Sequence, residues 1–263
     1  MEPAVRVTVA GAGDAFGTGG RLQTCLHLRP MRPRGRAGAV LVDCGATALT
    51  GLKGLGLEPC DVSVAAISHL HGDHFGGLPF LILDGQFRRR ERPLHLVGPA
   101  GLADRLTHAM ETLFPGSANV RRRFDVHVHE LSADGDPVTV DTGGGGGAGA
   151  VSVRGFGVDH EAGAPALGLR VTVAGRTVAY SGDTSWTDVL IDVADGADLF
   201  VCEAYTFDRP VRYHLHVPDL VARLDRIRCG RILLTHAGPQ VLARRAELGA
   251  ELELADDGMI VEL

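Results

Sequence analysis

Residues Ile67–Phe80, ISHLHGDHFGGLPF, place three histidines and an aspartate within six positions, directly after the apolar run DVSVAAIS (61–68). The chain has 263 residues and only twelve histidines, so composition does not explain the crowding. Imidazoles beside one another gain nothing in a core, and each costs desolvation when left unpaired. A metal ion accounts for the arrangement. Alternate residues of an extended segment point the same way, so His69 and His71 can grip one ion. A turn at Gly72 then swings Asp73 and His74 toward a second.

Outward from this stretch, short runs of strand and helix character alternate. DVSVAAIS reads as a strand that delivers His69 at its C-terminal end, and GGLPFLILDG as the helix that follows. Upstream, VRVTVAG, LQTCLHL and AVLVDCG form a strand meander and LTGLKGLG a short helix. Downstream comes the strand PLHLVGP, then AGLADRLTHAMETLF, whose Leu102, Leu106, Met110 and Leu113 recur at helical spacing. FDVHVHEL alternates as a strand with His127 and His129 on one face; these two and His95 read as fillers of a half-buried surface. Two strands flank the glycine tract Gly143–Gly147, and ALGLRVTVAGRTVAYSGD is a hairpin turning at Ala174–Gly175. SWTDVLIDVADG, VPDLVARLDRIR and PQVLARRAEL read as helices, interleaved with the strands ADLFVCEA and RILLTHAG and closed by DGMIVEL. The expectation is one α/β domain, 1–263, of two similar halves with sheets inside and helices outside.

A formal charge of −6 argues against general attraction to nucleic acid or to an anionic membrane. The arginines at Arg32, Arg34 and Arg36, at Arg88–Arg92 and at Arg121–Arg123 read as solvated loops. No apolar run approaches the roughly 20 residues of a membrane helix, and the opening residues carry no basic segment followed by a long apolar one. The five cysteines are odd in number with no CxxC pair, which suits free thiols in a reducing compartment. A cytoplasmic protein is expected.

Three further candidates stand where strands give out into loops: His160 after VRGFGVD, Asp183 after VAYSG and His236 after ILLT. With H-x-H-x-D-H these residues resemble the metallo-β-lactamase superfamily, from VDCG (42–45) to LLTHAG (233–238). The resemblance implies an αββα four-layer sandwich. It also implies a site in which His69, His71 and His160 hold one metal, Asp73, His74 and His236 the other, and Asp183 bridges them. Asp43 would support the ligand loop. Imidazole and carboxylate suit two divalent ions, Zn2+ above all and otherwise Mn2+ or Fe. A shared water of lowered pKa then makes the chain a dinuclear metallohydrolase, with Asp73 serving both binding and catalysis.

The ordering SGDT, CEAYTFD, H, LLTH is similar to the tRNase Z-like phosphodiesterase branch, and so is the opening loop GAGDAFGTGGRLQTC. In that branch a glutamate and a histidine pair beside the metals, which points to Glu203 and His214. A histidine kept charged by a carboxylate can protonate an alkoxide leaving from phosphorus. His216 stands two residues away as a competitor. Only 22 residues separate His160 from Asp183, too few for the arm that grips tRNA in that branch. The expected substrate is therefore a small or short nucleotide phosphodiester rather than tRNA, with a lactone or thioester as the alternative. Branch relatives form dimers, which leaves a homodimer open. The stretch Gly85–Gly116 is the candidate wall over the site; contact of Arg88–Arg92 with an anionic substrate is the secondary reading of those arginines, with none singled out, and Trp186 is expected to pack beneath the site.

Overall fold

The structure is a computed structural model, and it describes residues 3–31, 38–143 and 149–263. The arginines at 32, 34 and 36 and the glycines at 144–147 lie outside the described residues.

Among the described residues, fourteen strands build two seven-stranded sheets. The first contains β1 (Val5–Gly11), β2 (Cys25–Pro30), β3 (Ala39–Val42), β4 (Val62–Ala66), β5 (Leu94–Pro99) and β6 (Val126–Leu131). The second contains β7 (Val138–Asp141), β8 (Ala150–Gly157), β9 (Leu167–Val173), β10 (Arg176–Tyr180), β11 (Leu199–Glu203), β12 (Ile232–Thr235) and β13 (Leu252–Leu254). The last strand, β14 (Ile260–Glu262), crosses back to pair antiparallel with β1 in the first sheet. Each half runs from an antiparallel meander into a parallel series, β3 to β6 in one and β10 to β13 in the other. Parallel neighbours need a crossover, and the helices supply it.

Alternation along the strands sorts side chains into three cores. Val7, Val9, Leu26, Val40, Leu169, Val171 and Val201 fill the space between the sheets. Leu41, Leu52, Leu81, Leu96 and Leu106 bury the outer face of the first sheet under α1 (Ala48–Gly54), α2 (Gly72–Phe75), α3 (Leu78–Phe87) and α4 (Leu102–Leu113). Phe200, Leu190, Leu220 and Val241 do the same for the second sheet under α5 (Val189–Ala194), α6 (Val217–Val221) and α7 (Pro239–Ala243). Two mixed sheets between helical layers make the expected α/β sandwich.

The differences from expectation are local. The reading of VPDLVARLDRIR as one helix is corrected to the five residues of α6 and a separate 3-10 turn, Leu224–Arg226, because Arg223 leaves helical geometry at φ −132°. PQVLARRAEL likewise divides into α7 and a turn at Arg245–Glu247. The turn expected at Gly72 is the short helix α2, and β13 arises from ELEL, a run too short and too charged to announce itself. The hairpin does turn at Ala174 and Gly175, both in left-handed backbone at φ 49° and 75°.

Candidate metal centre

Parallel strands send their C-terminal ends to one side of a sheet, and the seven metal-ligand candidates converge there. Asp43 follows β3 in left-handed backbone, φ 58°, and is completely buried. Its Oδ1 accepts from the Ser68 amide at 2.8 Å; its Oδ2 accepts from Ser68 Oγ at 2.9 Å and from His74 Nδ1 at 2.6 Å. Ser68 Oγ in turn accepts from His69 Nδ1 at 3.0 Å. One carboxylate thus sets two imidazoles with their Nε2 lone pairs facing inward, as outer partners of metal-binding histidines do. The Cys44 amide donates to the His74 carbonyl at 2.7 Å, tying the loop after β3 to α2. A Cβ at Gly45 would sit 1.9 Å from the Asp73 carbonyl oxygen, so only glycine lets the two loops approach this closely.

The second sheet contributes single residues. His160, beyond β8, donates from Nδ1 to the Tyr213 carbonyl at 2.8 Å and turns Nε2 to within 3.1 Å of His71 Nδ1. Asp183 follows β10, and its Oδ2 lies 4.0 Å from His69 Nε2, 3.4 Å from His74 Nε2 and 3.4 Å from His236 Nε2. His236 follows β12 at φ 55°, its amide donating to the Ala12 carbonyl at 3.1 Å and its Nε2 lying 3.3 Å from Asp73 Oδ2. Three of the six non-glycine residues at positive φ among the described residues, Asp43, Tyr213 and His236, support or form this site.

Two groups of donors match the expected ligands, His69, His71 and His160 in one and Asp73, His74, Asp183 and His236 in the other, and a third, Asp183, Glu203, His214 and His236, overlaps the second. Within each group the donor atoms lie inside 4.8 Å of one another. His69 Nε2, His74 Nε2 and Asp183 Oδ1 are buried with no hydrogen-bond partner among the described residues. Three orphaned lone pairs aimed at one place would be costly without a cation. The electrostatics agree. Burial disfavours the charged form of His74, yet Asp183 and Asp43 outweigh it and hold its pKa well above the usual imidazole range. Burial opposes His236 in the same way, but Asp183 and Asp73 push it up to about 9. A pocket that draws protons onto two buried imidazoles suits divalent cations, which displace those protons. Nitrogen and oxygen donors in these numbers fit such ions.

Beside this cluster, Glu203 ends β11 completely buried, with Oε1 2.5 Å from His214 Nδ1. Its Oε2 accepts from the amides of Thr184 at 2.8 Å and Leu215 at 3.1 Å. His214 keeps 23% of its side chain exposed, and its ring centre lies 5.2 Å from that of His160. His216 turns away, to Asp219 Oδ2 at 3.1 Å and the Phe207 carbonyl at 3.0 Å, so Glu203 pairs with His214.

Arg88, Arg90 and Arg92, which lie within the candidate wall Gly85–Gly116, are engaged away from the centre. Arg88 bonds Glu58 at 2.6 Å, Arg92 bonds Asp61 at 2.8 Å, and Arg90 donates to the Val62 and Pro93 carbonyls. These partners lie at the N-terminal end of β4, opposite the end that carries His69. Trp186 packs on the second sheet's helical layer with Arg223 over its ring. Ser68 and the Tyr213 carbonyl escaped the sequence reading. Ser68 is marked only by its place before His69, and a backbone carbonyl leaves no residue signal.

A profile of the β-lactamase superfamily domain matches residues 39–237. The chain belongs to this superfamily. Ribonuclease Z of Natronomonas pharaonis is 29% identical over an alignment that covers 98% of each chain. That alignment runs to 321 positions, 58 more than this chain has residues, so the relative carries segments absent here. Human tRNase Z, short form, superposes with a TM-score of 0.74 at 26% identity, covering 98% of both chains. The metallo-β-lactamase fold protein YhfI from Bacillus subtilis superposes with a TM-score of 0.75 at 21% identity over the whole of both. The β-lactamase superfamily member described here is a metal-dependent hydrolase related to Ribonuclease Z. No helix among the described residues is long and apolar enough to cross a membrane.

Proposed function

We propose that this hydrolase is a dinuclear zinc phosphodiesterase acting on a small phosphodiester, built as one domain with its two halves sharing the site. His69, His71 and His160 would hold one ion, Asp73, His74 and His236 the other, with Asp183 between them. Ions bound there supply Lewis acidity toward a phosphoryl oxygen and a water acidified toward neutral pH. The protein's own part is to place and keep protons. Asp43 and Ser68 hold the His74 and His69 rings by their Nδ1 hydrogens. Glu203, fixed by two amides, occupies His214 Nδ1 and would leave Nε2–H as the proton donor.

The Glu203–His214 pair carries the reading. Burial works against charge on His214, but its bond to Glu203 outweighs that and raises its pKa above the ordinary imidazole value, which favours the imidazolium. An alkoxide leaving from phosphorus needs that proton. A lactone or thioester, whose leaving group stays attached or is better, needs it far less. The substrate's size is supported by the β9–β10 hairpin, which takes up the chain between His160 and Asp183 and leaves no length for a protruding arm. Together with the net charge of −6, this favours a short nucleotide or other small diester over tRNA.

The test is hydrolysis of bis-p-nitrophenyl phosphate by metal-analysed protein, beside a panel of lactones and thioesters. Turnover of the diester that falls about 100-fold or more in His214→Ala, with metal content unchanged, is the expected result. Turnover of the acyl panel alone, or full diester activity in the variant, would overturn it.

A further inference from the structure

The loop between β1 and β2 touches the metal centre through the Ala12 carbonyl, and it also carries Phe16, the most exposed large apolar side chain among the described residues at 86%. β1 and β3 both run antiparallel to β2, so they point the same way. The loop after β1 therefore leaves the first sheet at the end where Asp43 follows β3. It reaches both halves of the molecule. Gln23 Nε2 donates to the Ala15 carbonyl at 3.2 Å, and the Gln23 amide donates to Thr47 Oγ1 at 2.9 Å. Toward the second sheet, Thr24 Oγ1 lies 3.1 Å from Thr235 Oγ1, next to His236.

This loop is not slack. Asp14 is completely buried, and its Oδ1 accepts from the amides of Phe16 at 3.2 Å and Thr18 at 2.9 Å. Its Oδ2 accepts from Thr18 Oγ1 at 2.6 Å. Gly17, in left-handed backbone at φ 67°, donates its amide to the Asp14 carbonyl at 3.2 Å. The backbone at Phe16 is thus fixed while its ring stays in water. A single exposed apolar side chain is ordinary on a protein surface. A rigidly mounted one at the mouth of a hydrolytic centre is another matter when a second ring stands beside that centre.

Tyr205 is that ring. Half-buried and two residues beyond Glu203, it has its ring centre 4.6 Å from that of His214 and 5.9 Å from that of His236. Burial, then Asp14, Glu203 and Asp183 raise its pKa, so the anchor of the Phe16 loop and two acids of the centre all lie about it. Positive charge does not accompany the two rings. Arg21, the arginine of this loop, is engaged by Asp256 and the Ala255 carbonyl. What the loop offers a substrate is flat apolar surface. Such surface gains little from a small aliphatic alcohol, whereas every nucleobase has a face to stack.

We propose that Phe16 and Tyr205 form an aromatic lip that stacks a heteroaromatic base of the substrate, so that nucleotide diesters are selected over diesters of aliphatic alcohols. The proposal rests on the phosphodiesterase reading for the reaction and adds the substrate class and the side chains that choose it. Both rings position substrate, and neither moves a proton.

The experiment uses two pairs of probes on metal-analysed protein. For hydrolysis, a thymidine p-nitrophenyl diester is set against methyl p-nitrophenyl phosphate, which has the same leaving group. For binding, adenosine monophosphate is set against ribose monophosphate by calorimetry. In the wild type the member of each pair that carries a base should be favoured about 10-fold or more, in kcat/KM and in Kd respectively. Phe16→Ala should bring both ratios close to one, through KM rather than kcat, with metal content as in the wild type. Phe16→Trp should restore them, and Tyr205→Phe, which keeps the ring, should preserve them. Equal binding of the two monophosphates by the wild type, or ratios that survive Phe16→Ala, would overturn the lip. A Phe16-dependent preference for adenosine monophosphate without turnover of either diester would overturn the phosphodiesterase reading and leave the lip standing.

Discussion

The two halves share one plan, a meander leading into parallel strands, yet they serve the site in different ways. The first half delivers four candidate ligands from one loop and one short helix, all between His69 and His74, and steadies them with Asp43 from the adjacent strand end. The second half delivers His160, Asp183, Glu203 and His236 one at a time, each from a different strand end. A concentrated motif can be positioned by a single buried carboxylate. A dispersed one depends on the whole sheet keeping its order and register, so its geometry is as good as its packing.

This contrast can be broken at several points. Asp183 stands where the halves meet, so Asp183→Ala should strike both donor groups; the expected loss is at least 1000-fold in hydrolysis with markedly lower metal content by elemental analysis. Retention of both metals would show that the halves bind independently. Glu203→Gln removes the charge behind His214 while leaving both donor groups in place. A loss of roughly 100-fold in kcat with metal content unchanged is expected, and a flatter basic limb in the pH–rate profile would separate this from simple misfolding. Asp43→Asn tests the concentrated half. It keeps a side chain suited to left-handed backbone but can no longer accept from both Ser68 and His74 as an anion, so metal affinity measured by chelator competition should fall about 10- to 100-fold. The smallest effect belongs to Arg88→Gln. Its exposed pair with Glu58 lies at the opposite end of β4, and the unfolding midpoint should stay within experimental error of the parent's with hydrolysis unaltered.

The same contrast explains what could be read in advance. The candidate ligands between His69 and His74 could be singled out because their spacing is itself chemistry. His160, Asp183 and His236 were legible through their shared position at strand ends, once a metal was in view. The placement of Glu203 against His214 rather than His216 depended on which way each ring turns, and His216 is claimed by Asp219 three residues on. Arg88 and Arg92 sit in exposed pairs, as their reading as solvated loops expects; nearness in sequence to the motif says nothing of which end of a parallel strand a loop occupies. The Tyr213 carbonyl, held by a residue at φ 69°, had no signature in composition or pattern.

The return of β14 to the first sheet has a consequence for synthesis. Val7 pairs with Val261, and Asp257 accepts from the amides of Ala12 and Leu22, while Ala12 in turn steadies His236. β1 is therefore made long before the strand that covers its outer edge. Until then β1 presents an open, apolar border, and a hydrolytic cleft cannot finish assembling around the ligands already made. Folding of this chain is a closing of the circle rather than a progress from one half to the next.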